Sequence, residues 1–257
     1  VVVVHHDLAL NPDITRDAAG RWLDKPSAPI HALDWAQLQT YDIGRIKPGT
    51  RYAAQHPRQE AIDGTRVPRL ADLFDLVRRG GHDQVRFAIE TKLNPLQPDA
   101  TLAPERFAAV AIDEIRKAGM QQRVQILSFD WRSLQAVQRI APEIPTVYLT
   151  AQQRWLDNIG AQRAEDSPWT AGFRFRDHGS VAQMIKAAGG KFWSVHFGDL
   201  DAAKLRQAQA LGLKVLVWTV NEAPEMERMV DLGVDGLITD RPDIARAVLR
   251  ERRIEPR

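Results

Sequence analysis

The chain has 257 residues, is 44% hydrophobic, and carries 35 Lys and Arg against 33 Asp and Glu, with a net charge of +2. That balance, without a basic run or basic helical stripe, excludes a nucleic-acid footprint, and no apolar stretch approaches the roughly 18 residues that span a bilayer. The absence of cysteine excludes disulfides, thiolate metal sites and cysteine nucleophiles, and suits a cytoplasmic or a periplasmic home equally. A chain of this length accommodates one large core, and the reading is of a single domain over 1–257.

In chain order, short β-branched runs alternate with amphipathic stretches. "VVVVHH" (1–6) begins at Val1 rather than Met and reads as a strand entered midway, so the segment before it is expected to lie outside this sequence. From Leu8 to about Pro68 comes an irregular insertion, rich in Pro, Gly, Asp and Arg, with weak helical signal at "DWAQLQTYDIG"; so long a connection has a function or forms a subdomain. Further strand-like runs follow: "VRFAIETK" (85–92), "VQILSF" (124–129), "TVYLT" (146–150), "FWSVHF" (192–197), "KVLVWTV" (214–220) and "GLITD" (236–240). Between them "PERFAAVAIDEIRKAGM", "DWRSLQAVQRIA", "DAAKLRQAQALGL" and "APEMERMVDLGV" place apolar residues three and four apart, as helices do. Alternating strand and helix implies parallel βαβ units. Without a Gly-rich loop after the first run, an α/β fold of the (β/α)8 TIM barrel type is expected, its first strand and helix missing and its insertion following the first visible strand.

Barrel chemistry stands at the C-terminal ends of strands. Those ends are polar here: His5, His6 and Asp7; Glu90 and Lys92; Trp218 leading to Asn221; and Asp240. Strand alternation points His5 and His6 to opposite faces and puts Glu90 and Lys92 on one face, where a carboxylate could bind a cation and an ammonium an anion. A histidine, a carboxylate and a lysine at one mouth suit phosphate-ester hydrolysis, and an ordinary surface Glu-Lys pair fits the same spacing. Elsewhere, His196 reads as a hydrogen-bonded structural histidine, Asp235 and Asp240 flank the last strand with Asp240 a helix cap, and Arg16 and Arg45 either meet an anion or face water.

"VVVVHHDLALNPDITRD", "FAIETK", "SFD", "VWTVN" and "GVDGLITDRP", in this order along the whole chain, resemble the glycerophosphodiester phosphodiesterases. The resemblance implies His6 as the catalytic histidine of the His-Asp pair, Glu90 as a metal ligand and Lys92 as a phosphate-binding cation. It sets Trp218 as a wall of the glycerol pocket, with Phe129 lining the same mouth, and implies a divalent cation, Ca2+ or Mg2+. The family's His-Arg strand and E-x-D motif have no counterpart before His6, so Val1 to His6 aligns with the second strand of that barrel. The expected activity is metal-dependent hydrolysis of a small-molecule glycerophosphodiester to sn-glycerol 3-phosphate and an alcohol, with no nucleic-acid partner and no stable membrane insertion; this chain alone is expected to be inactive. The alternatives are a non-catalytic phosphodiester-binding barrel and a phospholipase-type phosphodiesterase on the same fold. Resemblance to exported members with similar insertions favours a periplasmic or secreted location.

Overall fold

A computed structural model describes residues 1–255. The chain forms two compact units, Val1–Phe87 with Thr91–Val124, and Ala88–Glu90 with the chain from Gln125 onward.

The second unit carries the sheet. Strands β1 (Phe87–Glu90), β2 (Val124–Ser128), β3 (Thr146–Thr150), β4 (Phe192–His196), β5 (Lys214–Trp218) and β6 (Gly236–Leu237) lie side by side in sequence order. The registers from β2 to β6 are parallel, with His196 of β4 directly opposite Trp218 of β5. Helices α5 (Trp131–Ile140), α6 (Phe175–His178), α7 (Val181–Ala187), α8 (Ala202–Ala210) and α9 (Ala223–Leu232) fill the connections, and α10 (Pro242–Glu251) follows β6. The β-branched and aromatic content of the strand runs favours a pleated surface, and β3 is buried along its whole length, as a parallel strand covered on both faces must be. Period-2 alternation sends Val147 and Leu149 with Leu127 into one cluster, against Phe129, Phe192, Leu216, Trp218 and Ile238. On the opposite face Tyr148 meets Trp131 of α5 edge-on, with centroids 4.9 Å apart.

The starts of these helices have identifiable causes. Asp130 accepts from the Arg132 amide, Ser180 from that of Gln183 and Asp201 from that of Lys204, while α9 and α10 begin with proline in the first turn. Helix α9 ends on Gly233, whose φ of +92° suits a residue without a Cβ.

The first unit contains α1 (Trp35–Leu38), α2 (Arg51–Gln55), α3 (Leu70–Arg79) and α4 (Pro104–Lys117). The last buries Ala108, Ala111, Ile112 and Ile115, one stripe at helical spacing. The insertion is a subdomain with its own small core, Leu10, Leu38 and Val67 packed with Val3, Leu23, Ile30, Leu33, Tyr41 and Ile43. A polar knot closes it: Arg16 is bonded to Asp42 and Asp63, and Arg45 binds Asp63 with two nitrogens. Asp63 is held down to about pKa 2, first by Arg45 and then by Arg16.

Two expectations are corrected. The parallel six-stranded sheet agrees with the expected barrel class, yet "VVVVHH" is not one of its strands. It makes a single antiparallel bridge, Val3 to Arg69, in which Val4 N donates to the Pro68 carbonyl and Leu70 N to that of Val2. Composition supports an extended backbone but does not supply the neighbour that makes it a ladder. Arg16, only 17% exposed, is committed to its two aspartates rather than facing an incoming anion.

Candidate active site

His6 and Lys92 meet in the first unit. The His6 side chain is 83% exposed and both its nitrogens are engaged: Nδ1 lies 2.8 Å from Asp7 Oδ1 and Nε2 lies 3.1 Å from Lys92 Nζ. An ammonium can only donate, so Nε2 accepts and the ring proton sits on Nδ1, donating to Asp7. Asn11 Nδ2 donates to the other Asp7 oxygen at 3.2 Å. The Asp7 carboxyl is held below its ordinary value, chiefly by the His6 hydrogen bond, against partial burial that acts the other way. The outcome is a line, Asn11 to Asp7 to His6 to Lys92, that fixes the tautomer of an exposed imidazole and brings an ammonium to its basic nitrogen.

His5 turns to the backbone: its Nδ1 meets Asp7, 2.9 Å from the carbonyl oxygen, and its Nε2 is buried without a hydrogen-bond partner among the described residues. Glu90 is the last residue of β1 and half-buried. Because the strand stops there, Lys92 reaches His6 from the following segment rather than from the strand face that alternation assigned to it.

In the second unit Phe129 and Trp218 come together, ring centroids 5.1 Å apart and nearly perpendicular at 85°. Phe129 directly follows β2 and Trp218 ends β5, so the C-terminal ends of two strands three places apart in the sheet order build the contact. Trp218 Nε1 donates to the Ser194 carbonyl at 3.2 Å, which fixes the indole. Two further rings join them: His196, 5.2 Å from Trp218, and Trp155, 6.0 Å from it. His196 thus has aromatic neighbours that its sequence context did not announce; burial lowers its pKa, partly countered by Asp199. Trp155 was not singled out, because scattered tryptophans carry no periodicity; its signal is its place in the segment after β3.

The remaining acids have structural partners. Asp235 binds Lys214 and the Val215 amide, and Asp240 accepts from Asn221 Nδ2 rather than capping α10, whose cap position is Arg241. Among the described residues no group of three or more His, Asp or Glu side chains could hold a metal ion. Glu90 alone falls well short of the six or so oxygens that Ca2+ or Mg2+ gathers. The described residues therefore do not fit the expected cation.

The sequence model of the Glycerophosphoryl diester phosphodiesterase family matches residues 1–244. The chain belongs to that family. Membership places it among the phosphoric diester hydrolases. A solved structure from Silicibacter pomeroyi DSS-3 carrying the same family name superposes with a TM-score of 0.84 at 31% identity, over 98% of this chain and 80% of that one. The glycerophosphodiester phosphodiesterase of Bacillus subtilis (strain 168) is 25% identical over 227 residues, 86% of this chain and 68% of the relative. An Oleispira antarctica phosphodiesterase, solved with the product sn-glycerol-3-phosphate, shares the fold at a TM-score of 0.64 and 18% identity, covering 96% of this chain and 79% of that chain.

Proposed function

We propose that this glycerophosphoryl diester phosphodiesterase family chain cleaves small glycerophosphodiesters to sn-glycerol 3-phosphate and an alcohol, with His6 exchanging the proton and Lys92 meeting the phosphate. The observation that carries the reading is the hydrogen-bonded line from Asp7 through His6 to Lys92. A diester phosphorus is shielded by its charged nonbridging oxygens, and an ammonium beside them neutralises charge that grows in the transition state. Nε2 is the exchanging atom: it takes the proton of the attacking hydroxyl as the oxygen–phosphorus bond forms, and the resulting imidazolium is stabilised by the Asp7 carboxylate. The bond to the leaving alcohol breaks with its electron pair on oxygen, which takes the proton back from the His6 imidazolium and restores the resting ring. Asp7 acts through the ring, as a positioning residue. The product bound to the Oleispira antarctica fold relative supports this choice of substrate.

The test is release of glycerol 3-phosphate from glycerophosphocholine by the protein expressed from its full reading frame, beside its His6→Ala variant. The His6 side chain is 83% exposed, so the variant should unfold at the same temperature while losing turnover by about 1,000-fold. Unchanged turnover in the variant removes His6 from the reaction.

A further inference from the structure

The His6–Asp7 pair lies on backbone that no ladder holds. The Val4 amide donates to the Pro68 carbonyl at 2.9 Å, and the Leu8 carbonyl accepts from the Ile30 amide at 2.8 Å. Between them, among the described residues, no main-chain to main-chain hydrogen bond reaches His5, His6 or Asp7. Such a stretch is fixed only by what side chains supply.

Here His5 supplies it. The Asp7 amide donates to His5 Nδ1 at 3.2 Å, and the Asp7 carbonyl oxygen lies 2.9 Å from the same nitrogen. A bare Nδ1 takes the amide proton and a protonated Nδ1 donates to the carbonyl, so either form of the ring ties to the Asp7 main chain. Nδ1 is bonded to Cγ, as the Oδ1 of an asparagine is, and the contact has the reach of an Asx turn. Packing does not explain an imidazole at this half-buried position. Its Nε2 is buried without a hydrogen-bond partner among the described residues, which destabilises the fold in a way that an apolar side chain of similar size does not.

We propose that His5 is a positioning residue for the proton-exchanging ring: by holding the Asp7 main chain it keeps the Asp7 carboxylate on His6 Nδ1. The proposal rests on the phosphodiester reading above and adds a residue to it.

The carboxylate needs that support. Asn11 Nδ2 donates to one of its oxygens at 3.2 Å, and Asn11 is itself held by accepting from the Asp13 amide at 2.9 Å. A single anchor of this kind leaves the carboxylate free to pivot. His5 adds a second anchor at the backbone end, so the other oxygen is confined to the place where His6 Nδ1, 2.8 Å away, donates to it. Without that acceptor the exposed ring samples both tautomers, as it does in water. Every group in the arrangement belongs to the first unit.

The experiment compares wild type, His5→Leu and His5→Asn, each expressed from the full reading frame. Long-range proton–nitrogen NMR of the imidazoles reads the His6 tautomer without requiring turnover, and glycerol 3-phosphate release from glycerophosphocholine reads kcat and KM. The expected result is the Nδ1–H form of His6 in wild type and in His5→Asn, whose amide remakes the bond to Asp7, and a mixture of tautomers in His5→Leu. The kcat of His5→Leu should fall about tenfold with KM unchanged, and His5→Asn should recover to within about threefold of wild type. In an Asp7→Asn background His5→Leu should cost almost nothing further, since the group it positions is gone. A wild-type tautomer in His5→Leu overturns the proposal, as does a His5→Asn protein that behaves like His5→Leu. An undiminished effect of His5→Leu beside Asp7→Asn makes His5 independent of the carboxylate and overturns it too. A wild-type protein that releases no glycerol 3-phosphate removes the hydrolytic reading, and the tautomer comparison then decides the role of His5 by itself.

Discussion

His6 holds its resting proton on Nδ1 because Asp7 accepts there and Lys92 donates at Nε2. An imidazole in water would sample both tautomers, and only the one with a bare Nε2 can take a proton from a substrate hydroxyl. Asp7→Asn should therefore lower kcat by about 100-fold or more with KM nearly unchanged. A steady-state comparison of the two proteins checks this, and an effect confined to KM would mean that Asp7 contributes to binding instead. The His-Asp pair was readable from the sequence because adjacent residues at a strand-like end need no fold to bring them together. Lys92, 86 residues away from His6, was readable as a polar strand end, and the family pattern added its phosphate-binding role. Trp155 escaped notice altogether, since its neighbours belong to different strand connections and no spacing rule links them.

At the scale of elements, the run "SFD" has two separate jobs. Phe129 joins the aromatic cluster, whereas Asp130 is fully buried, caps α5 through the Arg132 amide and holds the Arg132 guanidinium with both oxygens. Asp130→Ala removes the cap and the ion pair together, and should cost about 2 kcal/mol, or roughly 5 °C in melting temperature. A melting temperature within a degree of the wild type would mean that α5 keeps its start without the carboxylate. Six of the seven strand runs were legible because β-branched residues cluster where a sheet is covered on both faces. Their ends were less so: "GLITD" contributes only Gly236–Leu237, and "VRFAIETK" only Phe87–Glu90. "VVVVHH" shows the limit of composition, which specifies extended backbone and not its partner. Helix α3, at the border of the insertion, was missed because the polar, Pro-rich stretch before it masks where the helical period begins.

At the scale of the whole molecule, Tyr148 reports on cooperative integrity. Its hydroxyl accepts from Gln135 and Gln138 and donates to the Ala188 carbonyl, linking α5, β3 and the end of α7. Burial pushes its pKa up to about 12. The unfolded chain releases this proton near pH 10 while the folded chain retains it, so the stability it supports is intact below pH 10 and is lost progressively as the pH rises towards 12. Melting temperature should fall across that interval, and spectrophotometric titration should lose its component near pH 12 in Tyr148→Phe; a wild-type titration with no such component would show that the phenol is accessible. The sheet order has a different consequence. Each strand pairs with the one made just before it, so a chain emerging from the ribosome can add one βα unit at a time to an edge already formed, with no early strand waiting for a distant partner. Among the described residues the sheet's edge strand β6 is two residues long, too short to template pairing with a neighbouring chain.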